Sequence, residues 1–396
     1  MGELVLSKIG VAVIGAGMVG RAHAAGFRAA STVYGPGLPE IDLVTIADLN
    51  AEFAQDSARR FSYRNSETDW RTILSDSSIQ VVSVAVANSL HREISEALLK
   101  AGKHVLCEKP LAPSTADARA MVETAKKAKD LHAGTGFTFR RSPAIGAIKN
   151  ELENGNLGKP YFFNGHYWCD YAADSSRPMS WRYKGGPGSG ALADIGSHVV
   201  DLAEFMFGEI ESVSGAVLTT FTQRRALPSG TAMGHAATSL SDVYEDVENE
   251  DLVTFIAKFK SGATGTFSSS RVAHGLANGL GFEIHTEKGA ATFDLGRMGE
   301  FGYFDSTTPH QTSGYRQAFI GPDHPYIAGG MAMDFPTVNY GQNDLFVWQA
   351  RAFLEQVAGL SRLPKVATFE EGLRNLIILD SIVESALHNG IEVKIK

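Results

Sequence analysis

Apolar residues are spaced in two different ways along this chain, and the change of spacing divides it. In the first third they fall in short continuous runs, Lys8–Ile14, Ile41–Ala47, Val81–Ala87 and His104–Cys107. Runs without polar alternation predict strands covered on both faces, as in a parallel sheet. Between them the apolar positions repeat at helical spacing in Arg21–Ala30, Ala51–Arg60, Ser89–Ala101 and Thr115–Lys129. Gly102 is a stop signal, and Ser114 with Asp117 is a start signal. This alternation predicts a doubly wound α/β sheet ending near residue 130.

Beyond that point the runs Tyr161–Tyr171, Val213–Thr222, Leu252–Lys260, Thr264–Arg271 and Gly281–Phe293 are longer and partly alternating. Hairpin loops are expected at Lys260-Ser261-Gly262-Ala263 and Glu287-Lys288-Gly289-Ala290. Helices return at Asn343–Leu360, opened by Asn343, and at Phe369–His388, opened by Thr368 with Glu371 and closed by Gly390. Residues 305–340 show no period and read as an excursion over the surface. The expected organisation is an α/β domain over 1–131, then an α+β domain over 132–396 with a large, mainly antiparallel open sheet.

Composition narrows this little. A chain of 396 residues that is 44% hydrophobic and 20% charged belongs with folded, water-soluble proteins. A formal net charge of −8 disfavours a nucleic-acid partner, since Lys126-Lys127-Ala128-Lys129 and Arg140-Arg141 are the nearest approach to a basic block. Cys107 and Cys169 form no CxxC pair, so neither structural zinc nor a disulfide framework is expected, and a reducing cytoplasm is. The N-terminal MGELVLSKIGVAVIGAG lacks the layout of a signal peptide and its first apolar run reads as strand. No apolar stretch approaches the roughly eighteen residues of a membrane span.

The first strand stops at Gly15-Ala16-Gly17-Met18-Val19-Gly20 and a helix follows. In that context a GxGxxG turn predicts a Rossmann dinucleotide site. Gly15 permits the turn, Gly17 lets backbone approach a pyrophosphate, and Gly20 lets helix and strand pack closely. Asp48, at the end of the second strand, suits the ribose diol of NAD and repels a 2′-phosphate. It lies further along than usual because Tyr34-Gly35-Pro36-Gly37-Leu38-Pro39-Glu40 reads as a turn-rich insertion. NAD is the expected cofactor.

A second polar feature is Asp194-Ile195-Gly196-Ser197-His198-Val199-Val200-Asp201. On an α-helix Asp194, Ser197, His198, Asp201 and Glu204 share one face, opposite Val199, Leu202, Ala203 and Met206. An amphipathic helix N-capped by Asp194, closed at Gly208 and wetted by solvent accounts for this pattern, and so does a reaction centre. Metal ligation by Asp, His and Asp is a third reading, for which no second His-rich segment speaks. Upstream, Lys184-Gly185-Gly186-Pro187-Gly188-Ser189-Gly190 reads as a flexible linker, or as backbone that comes close to a ligand.

The fourth strand ends in Cys107-Glu108-Lys109-Pro110, which puts a lysine at the crevice of the predicted sheet, before a proline whose peptide bond is a candidate for cis. With these blocks in hand the chain resembles the Gfo/Idh/MocA family of sugar and cyclitol oxidoreductases, through GAGMVG at 15–20, Asp48, CEKPL at 107–111, GFTFRRSPA at 136–144 and GSGALADIGSHVVDL at 188–202. The resemblance implies a catalytic group of Lys109, Asp194 and His198. It implies hydride transfer from a secondary hydroxyl to NAD, with His198 as general base. Where relatives often have Thr-Pro-x-x-x-His, this chain has Val86-Ala87-Asn88-Ser89-Leu90-His91, so Ala87, Asn88 and His91, with Glu108 and Lys109, are expected on the cofactor.

Thr138, Arg140, Trp181 and Arg182 are expected to contact a sugar, anhydrosugar or cyclitol, whereas His166, Tyr167 and Asp170 read as strand decoration and Asp201 as a structural acid. The family also holds NAD-dependent glycosidases and sugar- or nucleotide-sensing regulators without turnover, and these stay as alternatives. The open sheet leads to the expectation of a homodimer or homotetramer.

Overall fold

The computed structural model describes residues 7–34, 37–229, 239–307, 310–328, 330–360 and 362–396. The leading run Met1–Leu6, and Gly35 and Pro36 of the predicted insertion, lie outside the described residues. Chain contacts divide the protein into two compact units, residues 1–143 with 321–374, and residues 144–320 with 375–396.

In the first unit the strands are β1 (Lys8–Ile14), β2 (Glu40–Ala47), β3 (Asn65–Glu67), β4 (Val81–Val84), β5 (His104–Cys107) and β6 (Ala133–Thr135). All six pair in parallel, in the order β3-β2-β1-β4-β5-β6. That is the strand order of a dinucleotide-binding sheet, in which the order of strands, not their direction, reverses between β1 and β4. The helices are α1 (Met18–Ala30), α2 (Ala51–Phe61), the single turn α3 (Thr72–Ser75), α4 (His91–Lys100) and α5 (Thr115–Lys127). Ser114 caps α5 as predicted, accepting the Asp117 N–H at 3.1 Å.

Much of the covering of this sheet comes from late in the sequence, which no cut at residue 131 anticipates. Helix α6 (Pro143–Glu153) opens the second unit, which holds the chain up to Ile320. The chain then returns to the first unit with α8 (Gln342–Val357) and the edge strand β17 (Ala367–Thr368), which pairs antiparallel with β6. Gly26 of α1 lies against α8 so closely that a Cβ there would stand 2.7 Å from the Phe346 carbonyl oxygen. Arg351 of α8 donates to the carbonyls of Ala30 (3.2 Å) and Val33 (2.7 Å), satisfying acceptors that the end of α1 leaves open. Helix α8 starts one residue before the predicted Asn343, because Gly341 is its cap and Asp344 closes back on the Gly341 N–H at 2.7 Å. The predicted box at Thr368 and Glu371 opens α9 (Phe369–Leu387), with bonds of 2.7 and 3.2 Å.

The second unit is built on β7 (Pro160–Trp168), β8 (Ile210–Thr219), β11 (Leu252–Phe259), β12 (Thr264–Ser270), β13 (Gly279–Thr286), β14 (Gly289–Asp294), β15 (Glu300–Asp305), β16 (Arg316–Phe319) and β18 (Val393–Lys394). These form one sheet ordered β16-β15-β14-β13-β7-β12-β11-β8-β18, antiparallel except for β12 beside β7. A separate ribbon joins β9 (Arg224–Pro228) to β10 (Leu240–Asp246). The run Gly281–Phe293, predicted as one strand with a loop inside, is the β13/β14 hairpin. The excursion predicted over 305–340 is partly regular, because β15 reaches Asp305 and β16 pairs beside it. Along β7 the side chains alternate, with Phe163, Gly165 and Tyr167 buried on the face covered by α7 (Ser197–Phe207).

Candidate active site

The glycine turn of the first unit has the conformation its sequence demands. Gly15 sits at φ +102°, and a Cβ there would lie 2.2 Å from the Ala85 carbonyl oxygen. At Gly20 a Cβ would be 1.9 Å from the Gly15 oxygen, so only glycine lets helix and turn close up. Gly17 differs, since a Cβ there would meet nothing within 4 Å. It is the N-cap residue of α1 and offers no side chain to cap the first helical N–H groups, with Met18 beside it 64% exposed. Open donors at a helix start form an anion site. Ala16 and Gly20 are buried and Val19 half-buried.

Asp48 follows β2 as predicted and is also part of the turn. Its Oδ2 accepts the Ala16 N–H at 2.7 Å and its Oδ1 the Asn50 N–H at 2.8 Å. A carboxylate has about four acceptor sites, which leaves capacity for a diol. Ala87 is exposed and Asn88 half-buried in a short 3₁₀ turn before α4. These residues fit NAD: backbone donors for pyrophosphate, a glycine where a side chain would intrude, and an acid at the strand end.

His91 is not on a cofactor surface. It is 1% exposed, and its ring lies between two backbone carbonyls, Nδ1 at 3.1 Å from Pro110 and Nε2 at 3.1 Å from Val86. Burial pushes its pKa down. The ring ties the start of α4 to the loop after β5, so the expected cofactor contact is replaced by an internal one. Glu108 also points inward, taking His23 on one oxygen and the Lys109 N–H on the other at 3.2 Å. Lys109 itself directly follows β5 and Glu108, at the C-terminal end of the parallel strands, and the Lys109–Pro110 bond is cis. Thr138 is buried with its hydroxyl on the Gly136 carbonyl, and Arg140 pairs with Glu371. Both are ties within this unit.

In the second unit the stretch at 191–207 is one continuous helix with a π turn at its start, Leu192–Gly196, before α7. Asp194 is therefore inside it and not its N-cap, its N–H bonded to the Gly190 carbonyl at 3.0 Å. A π turn widens the spacing per turn, so the even 100° wheel drawn from sequence breaks down there. Nor is the polar face wet: Ser197, His198 and Asp201 are all buried, His198 at 9% exposure. Asn375 closes the π-to-α junction by donating to the Ser197 carbonyl at 2.9 Å.

Beside Asp194 and His198 stand residues to which the sequence reading gave no role in the site. Tyr171 donates its hydroxyl to Asp194 at 2.6 Å, and burial together with that carboxylate pushes the phenol well above its ordinary pKa, which keeps it a donor. Tyr167, expected as strand decoration, is on the covered face of β7, its ring centroid 6.0 Å from that of His198 and its hydroxyl on Asn278 at 2.7 Å. Its buried position was legible in the alternation from Phe163 through Gly165, whereas Tyr171 and Asn278 lie outside any regular element and had no signal. His166 lies on the opposite face, stacked on Trp168 at 4.0 Å. Trp181 is 66% exposed with the Arg182 guanidinium 4.5 Å over its ring, an apolar plate of the kind that receives a sugar face.

The run 184–190 is tied down from within its unit rather than being a free linker. Gly185 donates to Glu248 at 2.9 Å, and Gly188 and Leu192 donate to the two oxygens of Glu250 at 2.7 and 2.9 Å. A Cβ at Gly190 would be 2.2 Å from the Glu250 carbonyl oxygen. Gly190 thus packs against the segment that anchors the run, whereas Gly185, Gly186 and Gly188 serve the turn by adopting positive φ.

Known proteins show the family to which the chain belongs. Residues 9–135 match the model of the oxidoreductase family with an NAD-binding Rossmann fold, and residues 145–292 match that of the GFO/IDH/MocA C-terminal domain. Levoglucosan dehydrogenase of Pseudarthrobacter phenanthrenivorans is 36% identical over 384 residues, 96% of this chain and 97% of that one. The chain belongs to the Gfo/Idh/MocA family of oxidoreductases. Myo-inositol 2-dehydrogenase of Thermotoga maritima is 28% identical over 66% of this chain and 69% of its own length. A solved levoglucosan dehydrogenase in complex with NADH and L-sorbose superposes with a TM-score of 0.89 at 34% identity, covering 98% of this chain and 99% of that one. As a Gfo/Idh/MocA oxidoreductase the protein uses NAD, which the glycine turn and Asp48 are shaped to hold. Among the described residues no helix is long and apolar enough to cross a membrane.

Proposed function

We propose that this protein oxidises a secondary hydroxyl of a neutral anhydrosugar or a closely related sugar, with levoglucosan as the leading candidate. The observation that carries the substrate class is the likeness to levoglucosan dehydrogenase over 96% of the chain, against 66% for the myo-inositol 2-dehydrogenase. NAD, when bound, supplies the hydride acceptor. The protein then has to hold the sugar, move one proton and stabilise charge on one oxygen.

His198 takes the hydroxyl proton as a neutral imidazole, since an ordinary imidazole titrates near neutrality. Asp194, its carboxylate fixed by the Tyr171 hydroxyl, supports the imidazolium that forms. Lys109 donates to the reacting oxygen and stabilises developing alkoxide character. Trp181 with Arg182, and Tyr167 with Asn278, contribute the sugar contacts.

The deciding assay is NADH formation from NAD with levoglucosan, glucose and myo-inositol side by side. Oxidation of levoglucosan is expected. Release of reducing sugar from a glycoside without NADH accumulation would instead favour the glycosidase reading, and ligand-dependent association without turnover a regulator. Lys109→Ala and His198→Ala should each lower turnover about a hundredfold or more while NADH still binds, and near-normal turnover in either removes that residue from the mechanism.

We also propose that the open face of the large sheet, which carries Ile256, Val217 and the His166–Trp168 stack, pairs with its copy to give a dimer or tetramer, and that the protein works in the cytoplasm. An exposed apolar patch on that face supports the first, and two buried free cysteines support the second. A monomer by light scattering would rule the oligomer out.

A further inference from the structure

One buried cluster of the first unit has no part in the chemistry above; the sequence reading expected its Glu108 on the cofactor and gave no role to His23 or Ser83. His23 lies on the buried face of α1, 2% exposed. Its Nε2 is 2.8 Å from Glu108 Oε1 and its Nδ1 is 2.9 Å from Ser83 Oγ. A carboxylate only accepts, so Nε2 carries the hydrogen and donates. Nδ1 meets the Ser83 hydroxyl, which can act as donor or as acceptor, so both ring nitrogens have a partner.

Beyond His23 the line continues to the lysine. Glu108 Oε2 accepts the Lys109 backbone N–H at 3.2 Å. Gly136 is packed against the carboxylate and blocks it on that side: a Cβ at that glycine would be 2.6 Å from Oε1. On the other side of the His23 ring stands Phe346 of α8, edge-on at 5.1 Å, which bars water and fixes the ring plane. A carboxylate buried at 8% exposure is costly unless fully bonded, and apolar packing would fill the same space with less penalty. What the polar line adds is direction, joining β4 through Ser83, the cofactor helix α1 through His23, and the end of β5 through Glu108.

We propose that His23 and Glu108 are positioning residues: they fix the backbone of Lys109 relative to α1, so that the lysine and a dinucleotide held at the glycine turn keep one geometry. The inference rests on the proposed role of Lys109. It concerns turnover rather than affinity, because misplacing a catalytic group by about 1 Å can cost on the order of a hundredfold in rate.

The two ring nitrogens allow a crossed test. A glutamine at position 23 carries its amide nitrogen where Nε2 stands, and an asparagine carries it where Nδ1 stands. His23→Gln therefore keeps the donor to Glu108 and should hold kcat within about threefold of the native enzyme, whereas His23→Asn loses it and should lower kcat about tenfold or more. Glu108→Gln turns either an amide N–H or a weaker acceptor toward the Lys109 N–H and should lower kcat to a similar degree. The Kd of NADH should stay within about threefold in all three.

Equal kcat for the two His23 variants, or Asn above Gln, overturns the proposal, as do losses that follow Tm alone or appear in the Kd of NADH. Lys109→Met in the same assay separates the two ideas. If it retains turnover, the role of Lys109 fails; if it is inactive while His23→Asn and Glu108→Gln turn over normally, only the positioning role fails.

Discussion

The two glycine runs of this protein look alike in composition and do opposite things. At 15–20 one glycine, Gly17, faces open space, and the helix N–H groups behind it have no side-chain cap. At 184–190 the Gly185 N–H is taken by Glu248 and the Gly188 N–H by the buried Glu250, whose other oxygen holds the Leu192 N–H just beyond the run. A glycine run binds a ligand only where its N–H groups are left over. In the second run the carboxylate that would otherwise come from a ligand is supplied by the chain itself, and what it anchors is the π turn holding Asp194.

Glu250→Ala should break the second run most. It leaves the Gly188 and Leu192 N–H groups buried without an acceptor, a loss of about 3 kcal/mol in urea denaturation, with turnover falling as Asp194 loosens. If stability is unchanged, the carboxylate is not the anchor described. Gly17→Val should do the reverse at the first run. Because a Cβ there meets nothing within 4 Å, stability should change by less than about 1 kcal/mol. NADH affinity, followed by its fluorescence, should fall about tenfold or more; unchanged binding would remove the glycine turn from the pyrophosphate.

Asp48→Ser is expected to be milder, narrowing the preference for NAD over NADP by about tenfold in kcat/KM through loss of the acid that repels a 2′-phosphate. The smallest effect is one of pH. Burial raises the Glu250 pKa above its ordinary 4.5, so in the window above 4.5 the folded chain keeps a proton that the unfolded chain has released. Stability from this group therefore falls as pH rises through that window. Thermal melts of Glu250→Gln alongside the native protein should show the native one gaining on the variant as pH drops from neutral toward 4.5. A gap that stays constant would mean the carboxylate does not titrate there.

How much of this was legible depended on how local the signal was. The parallel strands, the turn at Gly15–Gly20, Asp48 and the caps at Ser114 and Thr368 are each written within a few residues, since a φ of +102° or a missing Cβ is a property of one position. His91 was misassigned because a histidine after a strand looks the same in sequence whether it turns toward a cofactor or toward the Val86 and Pro110 carbonyls. His23 gave no signal, because its partners Ser83 and Glu108 are 60 and 85 residues away. The helix ending before Gly208 was legible, but its start was set at Asp194 and its polar face left open between a wetted surface and a reaction centre, since the π turn breaks the regular period and burial there is conferred by other elements.

The sequence by itself determined the two kinds of sheet, the dinucleotide turn and the family to which they belong, because backbone periodicity and glycine geometry act over short range. Tertiary structure alone decided which polar groups are spent inside the protein. Whether Glu250, Glu108, His91 or Arg140 meets a ligand or a neighbour depends on which distant backbone donor, carbonyl or side chain reaches it first. A buried polar group must be bonded wherever its partner lies along the chain.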